Sequence, residues 1–462
     1  MLYAAVIGLV VLVLLAVTVQ KTLGVKTRKD FMLAGQKLPW HVLVFTLLSS
    51  WIGAGSLFAG GENAYKNGFS ALWQPAGGWC GLMLIAVIAA RARRFAQFTV
   101  PDLLESRYNV AARVLGTIAI VISYTVITSY QFKGGGDILH LIFPEIDRTT
   151  GMYIIAAFVI TFTAAAGMAS IAYLDVIIGS MVTLIVIVAV PLLLHRVGGW
   201  SHVTTALPAD RFTVFGPQTV SEAFGKLLPT MLLLIGNQGM YQKFFSARSE
   251  RDANRAVAGW IVGTLLLETL LVTLSVIGSS KFQIDNPREI LPTTAKLGLP
   301  PLMGALLLGG IFAKVISTAN NYLFSPATNI IHDVYGRFIA PGATEKRTLL
   351  VSRVVIVLLG LFALLQASHF DSILKAALYA YTIYGAAVTP AVLAVFFWRR
   401  ATAEGAVASI ALGTLVTIAW QLFSGSDLDA VYPAVAASVA SLVGVSLATK
   451  PPAPGKVDKF FA

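Results

Sequence analysis

The sequence predicts an all-α membrane protein of about thirteen transmembrane helices, and three observations carry that expectation. Of its 462 residues, 56% are hydrophobic and only 12% are charged, about half the charged share of a soluble domain. A globule of this length would have no polar shell. The apolar runs are about 20 residues long, which suits helices crossing a hydrocarbon core of about 30 Å, and the period-2 alternation of an outer-membrane barrel is absent. Lys and Arg gather in alternate connections between the runs, as the positive-inside rule demands.

Apolar runs between charged segments define the elements in order. The first, 2–20, lacks a positive n-region and an A-x-A cleavage site, so it reads as a retained span and not a signal peptide. The second, 39–66, carries SSWIGAGS, with Gly53 and Gly55 in mid-run. Runs at 70–90, 114–143, 151–169 and 173–194 follow. The run at 220–242 contains Pro229 and then IGNQG, with Gly236 and Gly239. Those at 256–278, 302–331, 349–368, 371–397, 404–424 and 430–449 complete the set. With the N-terminus outside, 23 Lys and Arg fall on the inner side and 9 on the outer, while Lys133 and Lys314 fall within spans. The expected topology is therefore N-terminus out and C-terminus cytoplasmic.

The net charge of +12 is then a topology signal. Without a basic aromatic patch, it points to no nucleic-acid partner. A lone Cys80 excludes a disulfide framework and a Cys-rich metal site. The six His are scattered with no H-E-x-x-H, and GGIFAKVIST lacks the adjacent Gly-Lys-Ser/Thr of a phosphate loop. Neither a membrane metalloenzyme nor an ATP-driven pump is indicated, so transport would draw on an ion gradient.

With the spans after the first numbered as core helices 1 to 12, core helices 1 and 6 are the interrupted pair. An odd interval between them inverts the second unit in the bilayer. Matched interruptions in two inverted halves mark a transporter's solute site, because freed backbone groups at membrane depth are tolerable only beside a cavity or ligand. The alternative, close helix packing through Gly, suits a single interrupted helix better than a pair. On core helix 8, Ser317 and Thr318 stand side by side near mid-membrane, offering neutral oxygens to a dehydrated cation such as Na+. Their alternative use is bonding back to the carbonyl four residues earlier.

Six segments then match a known pattern in order: DFMLAGQKLPW (30–40), FTVPDLLESRYN (98–109), GMASIAYLDVIIG (167–179), NQGMYQKFFSARSERDANRA (237–256), ISTANNYLFSPATNIIHDVY (316–335) and FFWRRATAEGA (396–406). Together they resemble the sodium:solute symporter family, whose relatives carry solutes such as proline, sugars, choline and pantothenate. The resemblance implies a LeuT-like fold of two inverted five-helix repeats. Its units would be a leading helix and loop (1–38), the repeats (39–198 and 199–400) and two trailing helices with a tail (401–462). It also implies a Na+ site from the carbonyls of Ser50, Gly53 and Lys314 and the hydroxyls of Ser317 and Thr318. Asp175 would lie on the ion's cytoplasmic exit route; read alone, it is equally a helix N-terminal acid favoured by the dipole. Solute contacts would come from Trp51, Ile52, Gln131, Asn237 and Gln238, with Tyr65, Trp73 and Tyr381 as gating aromatics.

Lys314 is the main departure, since relatives mostly carry a small residue there. Its ammonium lies on the helix face of Ser317 and Thr318 and would compete with Na+. Either it replaces the ion, giving a proton-coupled or uncoupled carrier, or its stem takes the charge to a partner, for which Glu268 on core helix 7 is the candidate. Unpaired intramembrane charges are not expected. Lys133 has Asp137 as its natural i, i+4 partner. The expected protein is a Na+-coupled secondary transporter of a small polar solute in a bacterial inner membrane, not an enzyme and with no obligate protein partner. A transporter-like sensor module is the remaining alternative.

Overall fold

The computed structural model describes residues 1–22, 27–95, 99–165 and 167–461. Lys26, and Phe98 of the FTVPDLLESRYN motif, lie outside the described residues. Short polar side chains fix where helices begin. Asn109 accepts from the Ala112 amide, Ser249 from Asp252, Thr344 from Arg347, Ser372 from Lys375 and Thr402 from Gly405, each satisfying a donor that a helix start leaves open. Thr219 and Glu222 cap one another's backbone reciprocally.

Leaving aside short connecting helices such as Val100–Arg107 and Gly199–Ala206, the helices in chain order are α1 (Leu2–Thr22), α2 (Trp40–Trp51), α3 (Gly60–Asn67), α4 (Trp73–Phe95), α5 (Val110–Ile142), α6 (Arg148–Ala165), α7 (Met168–Arg196), α8 (Val220–Gly236), α9 (Gln238–Ser246), α10 (Glu250–Ser279), α11 (Pro301–Asn329), α12 (Glu345–Ala367), α13 (Ile373–Ala387), α14 (Thr389–Phe397), α15 (Ala403–Phe423) and α16 (Val431–Ala448). Among the described residues, 11 helices are long and apolar enough to cross a membrane, so the protein is a multi-pass integral membrane protein. The expected span 39–66 is divided between α2 and α3, and 220–242 between α8 and α9.

Each division is a short stretch of opened backbone. Ile52 is extended at φ −87°, ψ 97°, and the chain resumes as a wide π turn over Gly55–Ala59. Asn237 opens the second helix at φ −57°, ψ 110°. Pro229 stays inside α8, so it does not make the break that the sequence associates with it. A third interruption, between α13 and α14, was not expected. Pro390 has no amide to offer the Ala386 carbonyl, and Gly413 comes so close to that oxygen that a Cβ there would lie 2.5 Å from it.

Buried α11 runs through the middle, packed on α1, α5, α6 and α7. The first broken helix leans on α7 and α10 through α2, and the second on α4 and α13 through α8. The Leu38 amide donates to the Ser246 carbonyl at 3.1 Å, and the Leu38 carbonyl accepts from the Arg248 amide at 3.1 Å. The lead-in to α2 is thereby pinned to the end of α9. Helix α1 turns Leu9, Leu12 and Val19 outward, and α12 does the same with Leu350, Leu358 and Leu365, as lipid-facing positions require.

Candidate functional site

The first break meets α11 at Thr318. Its Oγ1 lies 2.9 Å from the Ser49 carbonyl and 3.3 Å from that of Ile52, so three oxygens converge with one hydroxyl proton among them. Gly53 permits the approach: a Cβ there would stand 2.5 Å from Thr318 Oγ1. The two carbonyls sit one residue toward the N-terminus from the expected Ser50 and Gly53. Gly53's oxygen instead accepts from the Ser56 and Leu57 amides and starts the next helical turn, while Ser50 Oγ donates back to Thr46. Across the break, the Ala54 amide finds Gln131 Oε1 at 2.8 Å. Replacing Gln131 by Ala would strand that buried donor, at a cost of about 1–3 kcal/mol. A melting measurement in detergent should find the loss with Gln131→Ala and recovery with Gln131→Glu, which keeps an acceptor.

Ser317 is turned the other way, donating to Asp175 Oδ1 on α7. Asp175 is fully buried and also accepts from Thr46 Oγ1 at 2.5 Å and from Asn321 Nδ2 at 3.4 Å. Two buried ammonium groups flank it. Lys314 Nζ donates to Ser49 Oγ at 2.8 Å, and Lys243 Nζ to Asn321 Oδ1 at 2.8 Å. Neither forms a direct ion pair with Asp175, whose charge acts on both through space. Lys243 falls one residue past the expected span 220–242, yet it lies inside the bundle.

The expected partners of the other intramembrane charges are not formed. Glu268 does not meet Lys314; it lies beside the first break, where Oε1 accepts from Trp51 Nε1 at 2.9 Å and Oε2 from Trp79 Nε1 at 3.0 Å. Lys314 reaches the Ser49 hydroxyl instead. Nor does Asp137 pair with Lys133. Arg288 takes it at 2.9 Å and Arg148 at 3.4 Å, because loop guanidiniums reach a carboxylate at the helix end more readily than an ammonium one turn inside. Lys133 donates to the Phe370 carbonyl.

Trp51, Ser56, Gln74, Thr230, Glu268 and Tyr381 are among the residues lining a cavity beside the break. About 20 Å³ is free inside, room for a water molecule. Trp51 and Tyr381 form one wall, their rings stacked with centroids 6.5 Å apart. Ile52 is buried in the break itself. Asn237 and Gln238 do not line this cavity. Asn237 accepts from Tyr124 at 2.8 Å and donates to Tyr322 at 3.2 Å, while Gln238 Oε1 accepts from the Val100 amide at 2.5 Å. Tyr384 donates to the Gly236 carbonyl at 2.5 Å. A tyrosine cluster thus satisfies the second break, and nothing in local sequence marks residues so far apart as neighbours.

Of the three expected gating aromatics, only Tyr381 lines the cavity. Trp73 lies further out, stacked on Phe215 at 5.2 Å with Nε1 on the Val214 carbonyl at 2.8 Å, and Tyr65 donates to Gln283 at 3.2 Å. At the start of α5, Arg113 pairs with Asp102, with Glu105 at 2.8 Å and with Asp333 at 3.5 Å. His332 joins Asp102 at 2.7 Å. Ligand atoms of Asp102, His332 and Asp333 lie within 4.8 Å of one another, but the Arg113 guanidinium already supplies the positive charge there.

The family model described as the sodium:solute symporter family matches residues 31–413. The chain is 25% identical to the high-affinity proline transporter PutP of Bacillus subtilis, over 93% of this chain and 95% of that protein. It is 26% identical to sodium/proline symporter 2 of Staphylococcus saprophyticus, over 92% and 88%. Among solved structures, a substrate-bound outward-open Na+-coupled sialic acid symporter superimposes with a TM-score of 0.83 at 18% identity, covering 98% of each chain. MhsT in complex with L-phenylalanine superimposes with a TM-score of 0.56 at 13% identity, covering 87% of this chain and 97% of that one. The fold is LeuT-like, and with the family pattern running through both broken helices and α11, the chain belongs to the sodium:solute symporter family.

Proposed function

We propose that this protein carries a small polar solute across the membrane together with Na+ by alternating access. The observation that carries the reading is the convergence of Thr318 Oγ1 with the Ser49 and Ile52 carbonyls. Carbonyls released by a discontinuous helix are the donors that hold Na+ in transporters of this architecture. An ion there ties α11 to the first break and favours the state competent for solute. Its leverage equals its differential affinity for the two states. Asp175, one hydroxyl away through Ser317, serves the ion's passage to the cytoplasm, and the solute sits at Trp51, Ile52 and Gln131 beside the break. The repeats are 39–198 and 199–400, the N-terminus faces out and the C-terminus the cytoplasm, and the membrane is a bacterial cytoplasmic (inner) membrane.

One observation favours a second reading. Lys314 Nζ already occupies the neighbourhood of the carbonyl pair, on Ser49 Oγ, where it stands in for the ion in a carrier without Na+ coupling. A single experiment separates the two. For a solute that stabilises the purified protein, uptake into proteoliposomes should fall about tenfold or more when external Na+ is replaced by K+, within the range of coupling between linked sites. Uptake unchanged by the swap rejects Na+ coupling and leaves the Lys314 reading.

A further inference from the structure

The cavity beside the first break has an unusual charge balance. Its lining holds one formally charged side chain, Glu268, which is 4% exposed. The carboxylate takes neutral donors only: Trp51 Nε1 at 2.9 Å, Trp79 Nε1 at 3.0 Å and Ser56 Oγ at 3.4 Å. Among the described residues, no Lys, Arg or His pairs with it. Lys226, one turn before the lining residue Thr230, donates instead to Asn63 at 3.1 Å and to Gln218 at 2.5 Å. Indole N–H groups orient the carboxyl group, but no cation beside it offsets the cost of charging it in a buried site.

The rest of the lining points the same way. Gln74 Oε1, buried on this cavity, has no hydrogen-bond partner, so the free capacity here includes an acceptor. The wall made by Trp51 and Tyr381 offers π faces, which attract cations. A solute carrying a carboxylate would find no cationic side chain on the lining to receive it.

We infer that the solute is a compact organic cation, an amine or quaternary ammonium without a free carboxylate, whose nitrogen docks on Glu268 and Gln74 against the Trp51 and Tyr381 rings. This rests on the reading that solute enters at the first helix break. The cation supplies the counter-charge that the lining lacks, and the two indoles hold the carboxylate in place when the solute has left.

The test uses the full-length protein in detergent with saturating Na+, read by thermal shift and tryptophan fluorescence. The cationic probes are choline, ethanolamine and agmatine, and the first two separate quaternary from protonated nitrogen. The controls are 3,3-dimethylbutan-1-ol, the neutral isostere of choline, and the zwitterions glycine betaine and L-proline. At least one cation should bind, with affinity at least tenfold weaker in Glu268→Gln and partly kept in Glu268→Asp. Both variants should retain the Na+-induced shift, which shows that they fold. Binding of no cation, equal binding of the controls, or cation affinity unchanged in Glu268→Gln overturns the inference. A Na+ shift lost in Thr318→Ala supports symport whatever the solute panel shows. Cation binding indifferent to Na+ counts against symport and leaves the assignment of the pocket standing.

Discussion

Asp175→Ala is expected to lower stability by about 3–5 kcal/mol, the cost of removing one partner from a buried charge cluster. The reason is the charge count around it: two buried ammonium groups, Lys243 and Lys314, share one buried carboxylate. Hydroxyl and amide relays through Ser49 and Asn321 hold the lysines in place, but neither relay carries negative charge. Without Asp175 the bundle would contain two uncompensated cations. Denaturation in detergent measures the loss. The double variant Asp175→Ala with Lys243→Met should be more stable than Asp175→Ala alone, because it removes one of the stranded charges. A single variant that melts like the unmodified protein would mean that the lysines do not depend on Asp175.

Thr318→Ala is expected to raise the Na+ concentration needed for half-maximal uptake by about 10–100-fold, the equivalent of one hydrogen-bonding oxygen lost to a charged group. Stability should change less, since the Ser49 and Ile52 carbonyls keep the backbone positions set by the break. Thr318→Ser retains the oxygen and should stay near the original dependence. Uptake in Thr318→Ala with unaltered Na+ dependence would remove Thr318 from the ion's shell.

Much of this architecture is legible in the sequence because membrane physics writes it locally. Apolar length marks the spans, and Gly53 and Gly236 in apolar runs mark where two of them open. The adjacent hydroxyls of Ser317 and Thr318 mark the helix that faces the first opening. What sequence leaves hidden depends on contacts between distant segments. The carbonyls that meet Thr318 are those of Ser49 and Ile52, one residue from the expected Ser50 and Gly53, since only the folded break reveals that Gly53's oxygen starts the next turn. Lys243 reads as a loop cation until α9 is seen to carry it inward to Asn321. Glu268 looks like a partner for Lys314 because both are acid and base at membrane depth, yet two indole donors and a different side of the break claim it. Asn237 belongs to a cluster with Tyr124 and Tyr322, and no periodicity relates those positions.

The central claim is a cation cage where the opened backbone of the first broken helix meets Thr318 on α11. Equilibrium binding of radioactive ²²Na+ to the purified protein tests it most directly. The account predicts saturable binding that weakens by about tenfold or more in Thr318→Ala. Absence of saturable binding, or binding of equal strength in the two proteins, would contradict it.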